Sequence, residues 1–73
     1  MSNEEKIGLL EELLDIEQGS LEADTYLEDI DEYTSIAKLS LIVLMEDEFD
    51  VSLAAADFRE FETVGDILAR MGR

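Results

Sequence analysis

The sequence predicts an all-α fold in one domain spanning residues 1–73: a small bundle of three main helices plus a short one, with a long loop between the first two. Three observations carry this. Apolar residues return at three-to-four spacing in three separate stretches, as the buried stripe of a helix requires. Each of those stretches opens on a serine, threonine or asparagine, the residues that accept a hydrogen bond from the first free N–H groups of a helix. The chain contains no proline, so nothing breaks a helix from within.

The first stretch carries Ile7, Leu10, Leu13 and Leu14 from about residue 3 to residue 17, with Glu4, Glu5, Glu11 and Glu12 expected outside. Ser2 or Asn3 can cap its start, and the early glutamates suit its positive end. Gly19 is the expected helix stop. Residues 19–33 form a long connection, with at most a short turn, in which Leu21, Leu27 and Ile30 are spaced as anchors onto the core. A loop of that length in so small a domain points to function. The second main helix starts at Thr34 or Ser35 and runs to about Asp47 or Phe49. Ile36, Leu39, Ile42, Val43 and Met45 make most of its circumference apolar, and Leu41 and Leu44 widen that surface. Such a helix is central in a bundle or touches a partner. Asp50 to Leu53 breaks the period, and Ala54 to Phe58 forms a short helix. Thr63 caps the last helix, with Asp66 three residues on in a variant of the capping box and Val64, Ile67, Leu68 and Met71 as its buried stripe.

Composition narrows the function. Of 73 residues, 20 are acidic and 5 basic, a net charge of -15. Nucleic acid is excluded as a partner, because phosphate binding needs clustered Lys and Arg. An anionic membrane surface is disfavoured for the same reason. The charge favours docking onto basic patches of other proteins, and self-repulsion favours a monomer. There is no histidine and no cysteine. The usual general base, the usual metal ligands and disulfides are therefore missing together. Asp24 opens an acidic loop, but no Asp-x-Asp-x-Asp-Gly order follows, so a calcium-binding hand is rejected and no metal is expected. No apolar run is long enough to span a membrane and the acidic N-terminus lacks a secretory charge pattern, so a cytoplasmic chain without membrane insertion is the expectation.

The densest signal is Leu27-Glu28-Asp29-Ile30-Asp31-Glu32-Tyr33-Thr34-Ser35-Ile36, continued by Leu41-Ile42, Met45-Glu46, Glu48-Phe49, Val51, Leu53 and Thr63-Val64-x-Asp66-Ile67-Leu68. By its residues alone, Ser35 is either a capping hydroxyl or a reactive one at an exposed helix start. Ser35 has no histidine or lysine base immediately beside it in the sequence, so self-activation is disfavoured. In order and spacing, however, the whole run from residue 4 to 71 resembles the acyl carrier protein family, whose members begin this helix Asp-Ser-Leu. It is most similar to the Leu-x-Asp-Ile-x-Glu-Trp-Asp-Ser-Leu run of specialised, stand-alone carriers. That resemblance implies a non-catalytic acyl carrier with 4′-phosphopantetheine attached covalently to Ser35 by a separate phosphopantetheinyl transferase, using coenzyme A and magnesium. An acyl group would then ride on the arm as a thioester, delivered to acyl-activating, acyltransferase or synthase enzymes with basic docking patches, in lipid or polyketide biosynthesis. A phosphodiester on Ser35 would meet the free N–H groups of the helix start.

The departures from the family pattern are informative. Thr34 stands where carriers place aspartate: it retains the cap and loses the charge. Ala37 and Ser40 stand where housekeeping fatty-acid carriers often place acids, and Lys38 adds a positive charge. The resemblance thus implies partner recognition by Thr34, Ile36 and Lys38 near the serine and by Glu46, Asp47 and Glu48 at the helix end, with a partner set distinct from general fatty-acid synthesis. Glu46 to Glu48 can equally be a solvated helix end. Cargo would shelter between the second and third helices against Ile42, Met45, Leu53, Phe58, Phe61 and Leu68, in a pocket that the two phenylalanines keep small or closed without cargo, favouring short acyl groups or cargo left outside. Those residues are also simply core at helical spacing. A peptidyl or aminoacyl carrier and an unmodified acidic adaptor of the same fold are the alternative functions.

Overall fold

The computed structural model describes residues 2–71, and its helices are α1 (Asn3–Leu14), α2 (Ser35–Phe49), α3 (Ala55–Glu60) and α4 (Val64–Met71), with one 3₁₀ turn at Leu27–Asp29. The all-helical bundle and its long first loop are as the periodicity predicts.

α1 begins in a complete capping box: the Ser2 hydroxyl accepts the Glu5 N–H, and the Glu5 carboxylate accepts the Ser2 N–H. It ends earlier than the sequence suggests. Asp15 takes the left-handed conformation (φ 59°), its N–H and that of Ile16 bond the Glu12 and Glu11 carbonyls, and the helix closes there. Gly19 is not the stop: it takes φ 87° in the turn beyond. A second correction concerns Glu11, expected outside with its neighbours. It is 2% exposed, and its Oε2 accepts the N–H groups of Gly19 (2.8 Å) and Leu21 (2.9 Å). One carboxylate thereby terminates the loop's otherwise orphaned donors, a charge-assisted arrangement.

The loop is pinned at its other end by backbone. Leu27 N–H donates to Glu62, Val64 N–H to Thr25 and Gly65 N–H to Ala23 (2.7 Å), around an antiparallel bridge of Tyr26 and Thr63. Gly65 is required by this approach, since a Cβ there would lie 2.9 Å from the Ala23 carbonyl oxygen. Leu21, Leu27 and Ile30 are buried, as anchors should be.

α2 is capped by Thr34, whose hydroxyl accepts the Ala37 N–H at 3.3 Å. Ala37, Leu41, Met45 and Phe49, each four residues apart, form its buried ridge, packed with Leu10 and Leu14 of α1 and Val64, Ile67, Leu68 and Met71 of α4. Asp50, again left-handed (φ 55°), ends the helix. α3 has no fully buried residue. It is held by the Asp57 carboxylate, which accepts the Ala54 N–H (2.7 Å) and pairs with Arg70 of α4 (2.9 Å), and by an edge-to-face contact of Phe58 with Phe61. At the start of α4, Asp66 accepts the N–H groups of Glu62 and Thr63, as the capping-box variant requires.

Candidate functional site

Because Thr34 is the cap, Ser35 is the first helical residue of α2, and its side chain is exposed. The cap fixes the local donor pattern. Ala37 N–H is taken by the Thr34 hydroxyl and Lys38 N–H by the Thr34 carbonyl. Among the described residues, the Ser35 and Ile36 N–H groups have no partner. They are the helix's orphan donors, carrying the positive end of its dipole. An anionic phosphodiester on the Ser35 oxygen would be met by both, so the residues present fit the arm that the sequence pattern implies.

The approach to Ser35 is set by Tyr33 and Lys38. The Lys38 ammonium lies 5.3 Å from the Tyr33 ring centroid, a cation–π contact. Tyr33 is half-buried, its hydroxyl is enclosed without a hydrogen-bond partner, and burial pushes its phenol above the ordinary value. Tyr33 therefore faces the interior space it shares with Leu10, Ile30 and Leu41.

One face of α2 is apolar and bare. Ile36 is 77% exposed, Leu39 64% and Val43 56%. At i, i+3 and i+7 they make one stripe that begins beside Ser35. Glu46, Asp47 and Glu48 are all exposed, about 20 Å farther along the axis at 1.5 Å per residue. Of the positions expected to recognise partners, Thr34, Ile36, Glu46, Asp47 and Glu48 are at the surface and Lys38 is half-buried. Ala37 belongs to a different surface than expected. It is buried on the inner ridge, so an acid there would sit in the core and its absence carries no message about docking. Ser40 is exposed.

The six positions expected to line a cargo pocket divide. Ile42 and Phe58 are half-buried and face one open groove between α2 and α3, together with Ser35, Lys38, Leu39, Ala55 and Arg59; its volume is about 610 Å³. Met45, Leu53, Phe61 and Leu68 are in the packed core. Inside the bundle, the apolar space beside Leu10, Leu41 and Ile67 is only about 10 Å³, the size of a packing defect. Sequence reasoning missed Leu39 and Arg59 as groove residues. Leu39 was legible only as one apolar residue among many, and Arg59 only as a charge on a short helix.

One aspartate holds the α3 wall of the groove, and a second caps the start of α4. Asp57 lies below the ordinary carboxylate range because it accepts the Ala54 N–H and then because it pairs with Arg70. Asp66 is lowered by the Glu62 and Thr63 N–H groups. Among the described residues no cluster of carboxylates is arranged to hold a metal, and no helix is long and apolar enough to cross a membrane.

Comparison with known proteins places this geometry. The chain matches the solution structure of a holo acyl carrier protein from Geobacter metallireducens with a TM-score of 0.76, at 22% identity, over 99% of this chain and 84% of that one. This likeness shows the fold. No curated protein gives a significant match. The profile of the family described as "Phosphopantetheine attachment site" matches residues 7–71, nearly the whole chain and both walls of the groove. The chain therefore belongs to the phosphopantetheine attachment family, the carrier domains to which acyl carrier proteins belong, and 4′-phosphopantetheine is its covalent cofactor.

Proposed function

We propose that this chain is an acyl carrier, with Ser35 as the attachment point, and that it catalyses nothing itself. The observation that carries the reading is the exposed Ser35 hydroxyl at the first position of α2, next to two unpartnered N–H groups and at the head of a bare apolar stripe. In the attachment step a transferase removes the Ser35 proton and the serine oxygen attacks the phosphorus of coenzyme A that carries the pantetheine. The new O–P bond replaces the pyrophosphate bond, and 3′,5′-ADP leaves. Without histidine anywhere in the chain, the base for this proton belongs to the transferase. The arm, when bound, supplies a thiol that holds an acyl group as a thioester. The chain's own residues do the rest. Thr34 keeps the helix start in place, the Ser35 and Ile36 N–H groups hold the phosphodiester's charge, and Ile36, Leu39 and Val43 offer partners an apolar contact.

The partners are a phosphopantetheinyl transferase and acyl-activating, acyltransferase or synthase enzymes whose basic patches answer the net charge of -15 and the exposed Glu46, Asp47 and Glu48. Lys38 beside the serine and the uncharged Thr34 support a specialised pathway over housekeeping fatty-acid synthesis. Cytoplasmic placement follows from the coenzyme A supply this loading needs.

Intact mass after incubation with coenzyme A and a broad-specificity transferase tests the reading. A gain of one phosphopantetheine in the native chain, absent from Ser35→Ala, is expected. No gain with several transferases, the native host's included, would replace it with the second reading, an unmodified acidic adaptor, which Thr34 in the place of an acid favours.

A further inference from the structure

We propose that the α2–α3 groove selects a carried group ending in a carboxylate, with Lys38 and Arg59 as the residues that read its charge. The inference rests on Ser35 being the attachment point and goes on to name the chemistry of the cargo.

The groove is anomalous in this molecule. Acids outnumber bases 20 to 5 over the chain, yet the groove's lining contains two of the five basic residues and no acid at all. The two cations come from opposite walls, Lys38 from α2 and Arg59 from α3. Neither has a carboxylate partner among the described residues, whereas Arg70 is paired with Asp57. Between them lie Leu39, Ile42 and Phe58. An alkyl chain would use those apolar residues and leave Arg59 without a partner and Lys38 with its Tyr33 ring contact alone. A short chain ending in a carboxylate uses both parts: its methylenes cover the apolar floor, and its anion meets the guanidinium and the ammonium where the surrounding surface is otherwise negative. Charge complementarity of this kind discriminates more strongly than it binds. The phosphodiester at Ser35 is a second anion within the same neighbourhood, but the Ser35 and Ile36 N–H groups already provide for it.

The test compares three forms of the ¹⁵N-labelled chain: holo, butyryl-loaded and succinyl-loaded, all carrying the same phosphodiester. The Arg59 side-chain Nε–H and the Lys38 backbone amide are followed by NMR. Shifts that appear only in the succinyl form and fade as salt is raised are expected, the Lys38 amide shift being lost in Arg59→Gln and the Arg59 Nε–H shift being lost in Lys38→Gln. Equal shifts in the butyryl and succinyl forms would overturn the proposal. So would a full shift already present in the holo form, since the phosphate would then be the anion these residues read. If no transferase loads Ser35, it is the attachment reading that fails. The groove is then judged on Ser35→Cys, the only thiol in a chain without cysteine, alkylated with bromoacetyl arms of pantetheine length ending in methyl or carboxylate. There, a carboxylate-specific shift at Arg59 supports the groove's preference and equal shifts refute it.

Discussion

The two sides of α2 have nearly the same chemistry and opposite tasks. The inner side presents Ala37, Leu41, Met45 and Phe49; the outer side presents Ile36, Leu39 and Val43. The inner residues touch α1 and α4 and hold the bundle closed. The outer ones are more than half exposed and hold nothing within the chain. What separates them is which side the neighbouring helices cover. α1 and α4 together bury one side, whereas six-residue α3, which buries no residue of its own, covers only part of the other. An apolar surface left bare beside Ser35 is available to partners, and one that is fully packed serves stability alone.

Truncation on either side gives the largest contrast. Met45 is fully buried, so Met45→Ala removes its packing and leaves a cavity, costing about 2–5 kcal/mol. Against total stabilities of about 5–15 kcal/mol for domains generally, that loss is large. Val43→Ala, on the bare stripe, should change stability by less than about 0.5 kcal/mol. Urea unfolding of both variants checks the pair, and transfer assays with the loaded chain should rank them the other way round among folded molecules. Equal destabilisation would mean that the outer stripe is packed in solution, contrary to the difference drawn here.

How much of this was legible beforehand depends on how unambiguous each local signal is. The starts of α1 and α2, the long loop and the buried stripe of α4 follow from capping residues and clean periodicity. The end of α1 does not, because Asp15 takes a left-handed conformation that glycine more often supplies, so Gly19 looked like the stop. The inner face of α2 was hidden by excess: with apolar residues on nearly every side, the period selects no direction, and of Ile36, Leu39, Ile42, Val43 and Met45 only Met45 is buried. Ala37, which the family pattern reads as a missing surface acid, lies on that inner face. The exposed helix start at Ser35 was legible from the pattern around it. The groove was only half so, since Arg59 reaches it from a helix whose placement is decided by the tertiary Asp57–Arg70 pair.

Glu11 extends the contrast to the loop that leads into Ser35. Its buried carboxylate clamps that loop to α1, holding Gly19 and Leu21 by their N–H groups. Glu11→Ala leaves those two donors without their acceptor and should cost about 1–3 kcal/mol. Glu11→Gln keeps one carbonyl acceptor and should cost less. Hydrogen exchange at Gly19 and Leu21 should speed in the same order. An unchanged exchange rate in Glu11→Ala would show that the loop is held by the Leu27 and Val64 backbone bonds alone.

A smaller effect is expected at Thr34, where capping and recognition can be separated. Thr34→Ala removes the acceptor for the Ala37 N–H and should destabilise by about 1 kcal/mol. Thr34→Asp retains an acceptor and adds the negative charge next to Ser35. Stability should stay close to that of the native chain while the initial rate of phosphopantetheine transfer rises. If the rate is unchanged, the outer side is read through its apolar stripe without help from charge at position 34.

Acid should loosen the outer side first. Asp57 is held below the ordinary carboxylate range mainly by the Ala54 N–H and then by Arg70, and Asp66 by the Glu62 and Thr63 N–H groups. A carboxylate depressed in the folded state contributes stability that is complete above its unfolded value and disappears as pH falls through the folded one. The loss therefore sets in as pH falls past the ordinary aspartate value and is complete only below the depressed folded one, and it strikes the bonds that hold α3 and the start of α4. The same protonation relieves the self-repulsion of a chain with net charge -15, which favours the compact state as a whole. The two effects have opposite signs but different places. Exchange protection factors measured through this range should fall across Ala55–Glu60 while those of Leu41 and Met45 hold or rise. A uniform fall would mean that the inner ridge depends on the α3 clamp. A local one would show that the groove wall can yield while the apolar side of α2 stays packed.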